Sequence, residues 1–305
     1  MAKQYDLLVI GAGPGGYTAA LKAAEFGMRA AVIERRKVGG TCVNRGCIPT
    51  KALLYASGMF HMMQNSDAFG VFTDFISFDF GKMQKYKDEA VEKYRAGIEE
   101  AFRKKGVDII YGNGVLRRDR TVEVDLAEGG KEFFQGRYVV IATGAVPIME
   151  GIPGSDLPGV WDSDRLLAAK TWSFDRLTII GGGVIAVELA TIFNNLCSHV
   201  TIVEKRKHLM GPMDTVMSQE LESTLRQKGI ALYCDCTVAD IYQGEGGLWC
   251  RIEPNDGGEP VTTRAGQVLA AIGRRPNTAG LTGPDVSLKM DGAKIAVSPE
   301  FETSE

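Results

Sequence analysis

The chain has 305 residues, 45% of them hydrophobic and 24% charged, with a formal net charge of -3; that is room for about two ordinary domains with packed cores. The charge balance excludes both a basic nucleic-acid-binding field and a polyanionic tail. No apolar run approaches the roughly 20 residues that span a bilayer, and Met1 to Lys3 lead into an apolar strand rather than a signal peptide, so the expected setting is the cytosol, with no membrane and no nucleic acid as partner.

Residues 5–10 read as a buried strand feeding Gly11-Ala12-Gly13-Pro14-Gly15-Gly16, then a helix to about Gly27 and a strand from Ala30 that ends on Glu34. A helix is expected over about 49–65. Another spans 80–105, with Met83, Tyr86, Ala90, Tyr94, Ile98 and Phe102 as its apolar stripe, its charges as a solvated face and Gly106 at its C-cap. Short strands with turn signals across 107–142 predict a small antiparallel insertion. Gly151-Ile152-Pro153-Gly154 then punctuates the chain like a domain boundary. Leu177 to Ile180 form a strand feeding Gly181-Gly182-Gly183-Val184-Ile185-Ala186, a helix to about Leu196, and a strand from Val200 that ends on Glu204. Asp214 is a plausible N-cap for a helix to Lys228, closed by Gly229; strands resume to Ile272, and loop-like sequence follows.

The same step along the chain separates Gly11 from Glu34 and Gly181 from Glu204. One Gly-x-Gly-x-x-Gly is weak evidence. Two, each between a strand and a helix and each followed by a correctly placed acid, point to two Rossmann-like dinucleotide folds. In each, the first glycine permits the turn and the second lets backbone approach a pyrophosphate. The third small residue, Gly16 or Ala186, lets helix and strand pack closely, and the acid accepts from a ribose. The phosphates face the positive end of the helix. Glu204 suits a free 2′-hydroxyl and so NAD over NADP, although Lys205-Arg206 follow it directly.

Six cysteines do not make a disulfide scaffold, and in a reducing compartment a pair that bridges is more often catalytic than structural. Cys42 and Cys47 stand in Gly39-Gly40-Thr41-Cys42-Val43-Asn44-Arg45-Gly46-Cys47-Ile48-Pro49-Thr50-Lys51. In a regular helix that spacing puts the Cα atoms roughly 8–9 Å apart, beyond the ~7 Å reach of a disulfide. Either the segment is not a regular helix or the two are not bonded to each other. Gly46 permits an irregular turn, and Pro49 suits a helix starting near residue 48. Cys47 then sits at a helix N-terminus, which favours a thiolate, with Lys51 one turn on. No zinc-ligand spacing accompanies the pair, so no metal site is expected. Cys197, Cys234, Cys236 and Cys250 read as small core residues.

This block is similar to the disulfide signature of the class I pyridine nucleotide-disulfide oxidoreductases, flavoproteins that include glutathione reductase, mercuric reductase and dihydrolipoamide dehydrogenase. The resemblance covers essentially the whole chain: both glycine motifs, the cysteine block, Ala142-Thr143-Gly144, Glu188 and Gly273-Arg274-Arg275-Pro276-Asn277 stand in the family's order. It implies an α/β protein with an FAD-binding domain over 1–150 that carries the redox disulfide, an NAD-binding domain over 151–275, and a central segment from 276. FAD would be held by Gly11, Gly13, Gly15, Gly16, Glu34, Gly40, Thr41, Gly114 and Thr143-Gly144-Ala145. NAD would be held by Gly181, Gly183, Ala186, Glu204, Val238 and Gly273. Lys51 and Glu188 match the ion pair near the flavin N5. Cys47 would face the flavin and Cys42 would meet the substrate.

Cys47-Ile48-Pro49-Thr50-Lys51-Ala52-Leu53-Leu54, and Val184 where glutathione reductases place a tyrosine, are most similar to the dihydrolipoamide dehydrogenase branch. The implied reaction passes electrons from dihydrolipoamide to NAD, with mercuric or another disulfide reductase as alternative. The family continues through a Gly-Asp motif and a C-terminal dimerisation domain whose histidine is the acid/base, donated across a homodimer. Neither is in this sequence, and His61, His199 and His208 match no such context. The expectation is an N-terminal portion of a longer enzyme, inactive alone; the alternative of another class is a non-catalytic flavin- or nucleotide-binding module.

Overall fold

The computed structural model describes residues 2–305, which fall into two compact units. The first comprises the chain up to Ile48, Glu89–Val146 and Arg275–Glu305, and the second Pro49–Asp88 and Pro147–Arg274. No helix among the described residues is long and apolar enough to cross a membrane.

In the first unit the strand Lys3–Ile10 lies parallel to Ala30–Glu34 on one side and to Lys131–Ile141 on the other. Alternating side chains fill two cores. Leu7 and Val9 pack with Val32, Phe102 and the small Ala20 and Ala23 of the helix Pro14–Glu25, while Leu8 and Ile10 pack with Ile33, Val122, Val124 and Phe134. The strands of 107–142 are not a separate insertion. Asp108–Tyr111 is the parallel partner of Ala31–Glu34, and only Gly112–Leu116 turns antiparallel to Thr121–Leu126, which pairs with Lys131–Ile141 and closes a five-stranded ring. Alternating sequence identifies strands, but it does not show that Asp108–Tyr111 and Lys131–Ile141 each also pair with a strand near the start of the chain.

The returning segment joins this core through Leu281 and Val286. Leu116 N–H donates to Leu281 O at 2.8 Å, and Gly283 N–H to Leu116 O at 2.9 Å. The Arg118 backbone N–H and the Arg117 guanidinium both donate to the Asp285 carboxylate, and in that order hold it below the usual carboxylate range. A lowered carboxylate stabilises above its ordinary range, and the effect is lost as pH falls through the lowered value. Asp285→Ala should therefore speed proteolysis within residues 286–305 at neutral pH, with the two proteins converging in acid.

The second unit is built on a sheet in the order Ala231–Cys234, His199–Glu204, Arg176–Ile180, Val261–Ala270, Gly247–Pro254 and Cys236–Gly244, with Val160–Asp162 also on Val261–Ala270. Gln267–Ala270 pairs in parallel and Val261–Gly266 antiparallel, so one strand serves both halves. Ile179, Leu189, Phe174 and Phe193 form one core, and it includes Leu53, Phe60 and Phe80. Those three burials explain why 49–88 groups with the second unit, where a linear division at residue 150 puts it in the first.

Helix Phe80–Lys105 has the expected bounds but a different stripe. Its buried positions include Phe80, Gln84, Lys87, Val91 and Phe102, while Tyr86 and Tyr94 are 44% and 57% exposed. Two candidate stripes run one residue apart, and long polar stems can cover apolar surface as aromatic rings do. Lys87 leaves the solvated face: its ammonium donates to Leu167 O at 2.9 Å and pairs with Asp88.

Candidate functional site

At the end of Lys3–Ile10 the chain turns at Gly11, φ +103°, where a Cβ would stand 2.3 Å from Ala142 O. A Cβ on Gly16 would stand 1.8 Å from Gly11 O, so only glycine lets helix Pro14–Glu25 sit this close. Gly13 caps that helix without a side-chain bond, and Gly15 has open space around it. Glu34 accepts from Ala12 N–H at 2.9 Å and from Arg36 N–H at 2.8 Å. Gly144, φ +72°, is also open, and its neighbours are fixed by Asn277, whose N–H donates to Gly144 O and whose amide donates to Thr143 O. Ala145 begins the strand Ala145–Pro147. Gly114 has a packing reason of its own: a Cβ there would meet Ile33 and Val122 at 3.1 and 3.2 Å. An uncapped helix N-terminus, open backbone and a carboxylate at the strand end fit the pyrophosphate and ribose of a dinucleotide.

The second turn repeats the pattern. Gly181 has φ +108° with Ala271 O 2.4 Å from its missing Cβ, and Gly183 caps helix Val184–Asn195 with open space beside it. Ala186 is fully buried. Glu204 accepts from Gly182 N–H and from Arg206 N–H. The Arg206 side chain lies against Gly211. Gly273, φ +137°, accepts from Ile148 N–H at 3.1 Å. Val238 is buried with Cys236 and Ile241, beside a bulge. On helix Cys47–Gln64, Lys51 Nζ lies 2.7 Å from Glu188 Oε1.

Between the cysteines the chain is not one helix. Gly40–Arg45 is helical, Gly46 breaks it at φ -145° and ψ -107°, and Cys47 starts the next. Both alternatives left open by the spacing hold: the segment is not one regular helix, and the two sulfurs are not joined. The second helix begins before Pro49, and Cys47 is its exposed first residue, with Cys42 half-buried. The pair is docked on the first glycine turn: a Cβ on Gly40 would stand 2.5 Å from Gly13 Cα. Sequence patterns missed Asn44, whose amide donates to Val38 O and Gly40 O at 2.9 Å each and ties the block down. Asn277 stood in a quoted motif without a role; its bonds reach back to Thr143 and Gly144, far away along the chain, and neither asparagine carries a periodic signal.

Cys236 and Cys250 are core residues as expected, and Cys234 is half-buried. Burial first, then Asp240, pushes the Cys250 thiol up to about 12, and burial above all takes Cys234 to about 11. Cys197 is a correction: it is exposed, at φ +67° past the end of Val184–Asn195, and Gln64 donates to its sulfur. Left-handed residues close helices, and a closing residue stays at the surface. Brief iodoacetamide treatment at pH 8, read by peptide mass spectrometry, should label Cys47 and Cys197 well before Cys236 and Cys250. His208 Nδ1 lies 3.3 Å from Glu222 Oε1.

Residues 5–305 match the family described as pyridine nucleotide-disulphide oxidoreductase. The chain is 34% identical to a dihydrolipoamide dehydrogenase of Chaetomium thermophilum, with 98% of this chain and 60% of that protein covered. It is 32% identical to a dihydrolipoyl dehydrogenase of Bacillus subtilis over 100% of this chain and 66% of that one. The chain thus spans about three fifths to two thirds of the length of these relatives. A solved structure of the HOCl-induced flavoprotein disulfide reductase RclA from Escherichia coli, in a Cu(II) complex, superposes with a TM-score of 0.83 at 29% identity, covering 100% of this chain and 64% of that one.

Proposed function

Because the chain belongs to the pyridine nucleotide-disulphide oxidoreductase family, whose cofactors are FAD and NAD(H), we propose that in its full-length form it oxidises dihydrolipoamide with NAD⁺. The observation that carries this reading is the cysteine block seated on the first glycine turn at Gly40 and Gly13. That turn is the proposed FAD site and the Gly181 turn the proposed NAD site. When bound, FAD supplies the relay that takes an electron pair from a dithiol and gives a hydride to nicotinamide.

The chain's own groups then have distinct tasks. One substrate thiolate attacks Cys42 Sγ, breaking the Cys42–Cys47 disulfide and releasing Cys47 as a thiolate at its helix N-terminus. The second substrate sulfur displaces Cys42, leaving oxidised lipoamide and two reduced cysteines that hold the electron pair. Lys51 and Glu188 fix charge beside the cysteine helix. We place the acid/base group for Cys42 in a further segment of the full-length protein, within a cytosolic homodimer.

The test is turnover of FAD-loaded full-length protein with dihydrolipoamide and NAD⁺, beside glutathione disulfide, Hg²⁺ and Cu²⁺ with NADH and NADPH. Preference for glutathione disulfide would overturn the substrate. A second reading, metal-ion reduction by the same cysteines, is favoured by the Cu(II) complex of the Escherichia coli reductase, and saturable Cu²⁺ or Hg²⁺ reduction would establish it. For the nucleotide, Glu204→Gln keeps an acceptor for the turn but removes the charge. The KM for NADH should rise about tenfold, with NADPH discriminated against less.

A further inference from the structure

The first unit carries a cleft of about 730 Å³ at the wrong edge of its sheet for the dinucleotide. It is lined by Tyr5 and Asp6, near the start of Lys3–Ile10, and by Arg29, which precedes Ala30–Glu34. The glycine turn lies past the other end of that strand, about 20 Å away at the rise of an extended chain. In open α/β sheets ligands bind beyond the carboxyl ends of the strands; this cleft lies at the amino ends.

Its chemistry is cationic. Three exposed arginines, Arg29, Arg120 and Arg137, line it, in a protein whose net charge is negative. The Arg29 guanidinium lies 4.8 Å from the Tyr5 ring centroid and that of Arg137 5.3 Å from Tyr138; neither donates a hydrogen bond to a described residue. Arg120 is held by a single bond, to Arg137 O at 2.9 Å. Asp6 accepts the Arg29 backbone N–H, and the Tyr5 hydroxyl donates to Asp108. Asp119 is the other carboxylate lining the cleft.

The backbone also holds this rim in place. Asp119 and Arg120 both have left-handed φ, +54° and +56°, a conformation that disfavours side chains with a Cβ. Gln135 donates to Asp119 O, so the turn that carries Arg120 is bonded to the opposite wall. Guanidiniums with open donors around a cleft of small-molecule size match the oxygens of phosphate groups.

We propose that this cleft binds a small phosphate-bearing anion at a site separate from both glycine turns. The inference does not depend on the thiol substrate or on turnover. The probe is tripolyphosphate, titrated calorimetrically into full-length protein saturated with FAD and NAD, which fills the turns. Saturable binding is expected, at least tenfold weaker in Arg137→Gln and weaker still in Arg29→Gln/Arg137→Gln. These side chains are exposed, and unchanged flavin absorbance and circular dichroism would show that the variants fold. ATP binding tighter than tripolyphosphate would assign the site to a nucleotide, and equal binding to phosphate groups alone. No heat at millimolar tripolyphosphate, or equal affinity in the variants, would overturn the proposal.

Discussion

A Cys47→Ser variant of the flavin-loaded full-length protein loses turnover by at least about a thousandfold, as expected when one sulfur of the redox disulfide is removed. Cys47 is the exposed first residue of its helix and carries the sulfur proposed to face the flavin. Serine preserves the size and the helix start but is not a thiolate at neutral pH and cannot form the disulfide. Two readouts separate this from damage to the fold. Anaerobic dihydrolipoamide should give the wild type a long-wavelength thiolate–flavin band and the variant none, while flavin content stays the same. A Cys42→Ser protein should instead keep the band, because Cys47 remains as a thiolate, yet fail to turn over dithiol. A band surviving in Cys47→Ser would reverse the two roles.

Gly16→Val should cost about 3 kcal/mol or more and empty the protein of flavin, from overpacking that has nowhere to relax. The nearest atom to the added Cβ is Gly11 O at 1.8 Å, and Gly11 is itself fixed by φ +103° and by Ala142 O. The obstacle is backbone on both sides, so no rotamer change relieves it. Gly15→Ala is the matched control. Nothing lies within 4 Å of its missing Cβ, so it should fold at near wild-type stability and reveal only whether the turn needs open space for a ligand. Urea unfolding of both, with flavin retention after gel filtration, checks the pair; equal stability would show that the helix moves away from the strand freely.

The two strand–glycine–helix–strand units were legible because their glycine spacing and acid are local, although Gly11 and Gly181 also abut the distant Ala142 O and Ala271 O. Gly11, Gly16, Glu34 and their counterparts Gly181, Ala186 and Glu204 act within one turn and its flanking elements. The break at Gly46 was likewise readable as one of the two alternatives that the cysteine spacing left open, although the short helix Gly40–Arg45 was not. What stayed hidden was set by distant partners. Asp108–Leu116 divides between a parallel and an antiparallel neighbour, and Lys87 is buried because Leu167 O accepts from it. Cys197 looks like any core cysteine until its φ of +67° is known. At the site, the carboxylates of Glu34 and Glu204 fit a ribose by position, but only the structure shows each also accepting one backbone N–H from its glycine turn, Ala12 or Gly182, and one from two residues further on, Arg36 or Arg206.

The chain passes between its two units at 48/49, 88/89, 146/147 and 274/275. Neither unit is a contiguous cassette that a single gene cut could excise. A fragment ending at residue 150 would carry Leu53, Phe60 and Phe80 without Phe174, Leu189 and Phe193, with which they are buried, and should aggregate on expression. Recombination between relatives that respects this threading must exchange at least two segments at once. Transplanting the second unit whole requires carrying helix 49–64 and its cysteine-proximal Lys51 along with it, whereas changes at the proposed nucleotide contact Glu204 need no such exchange.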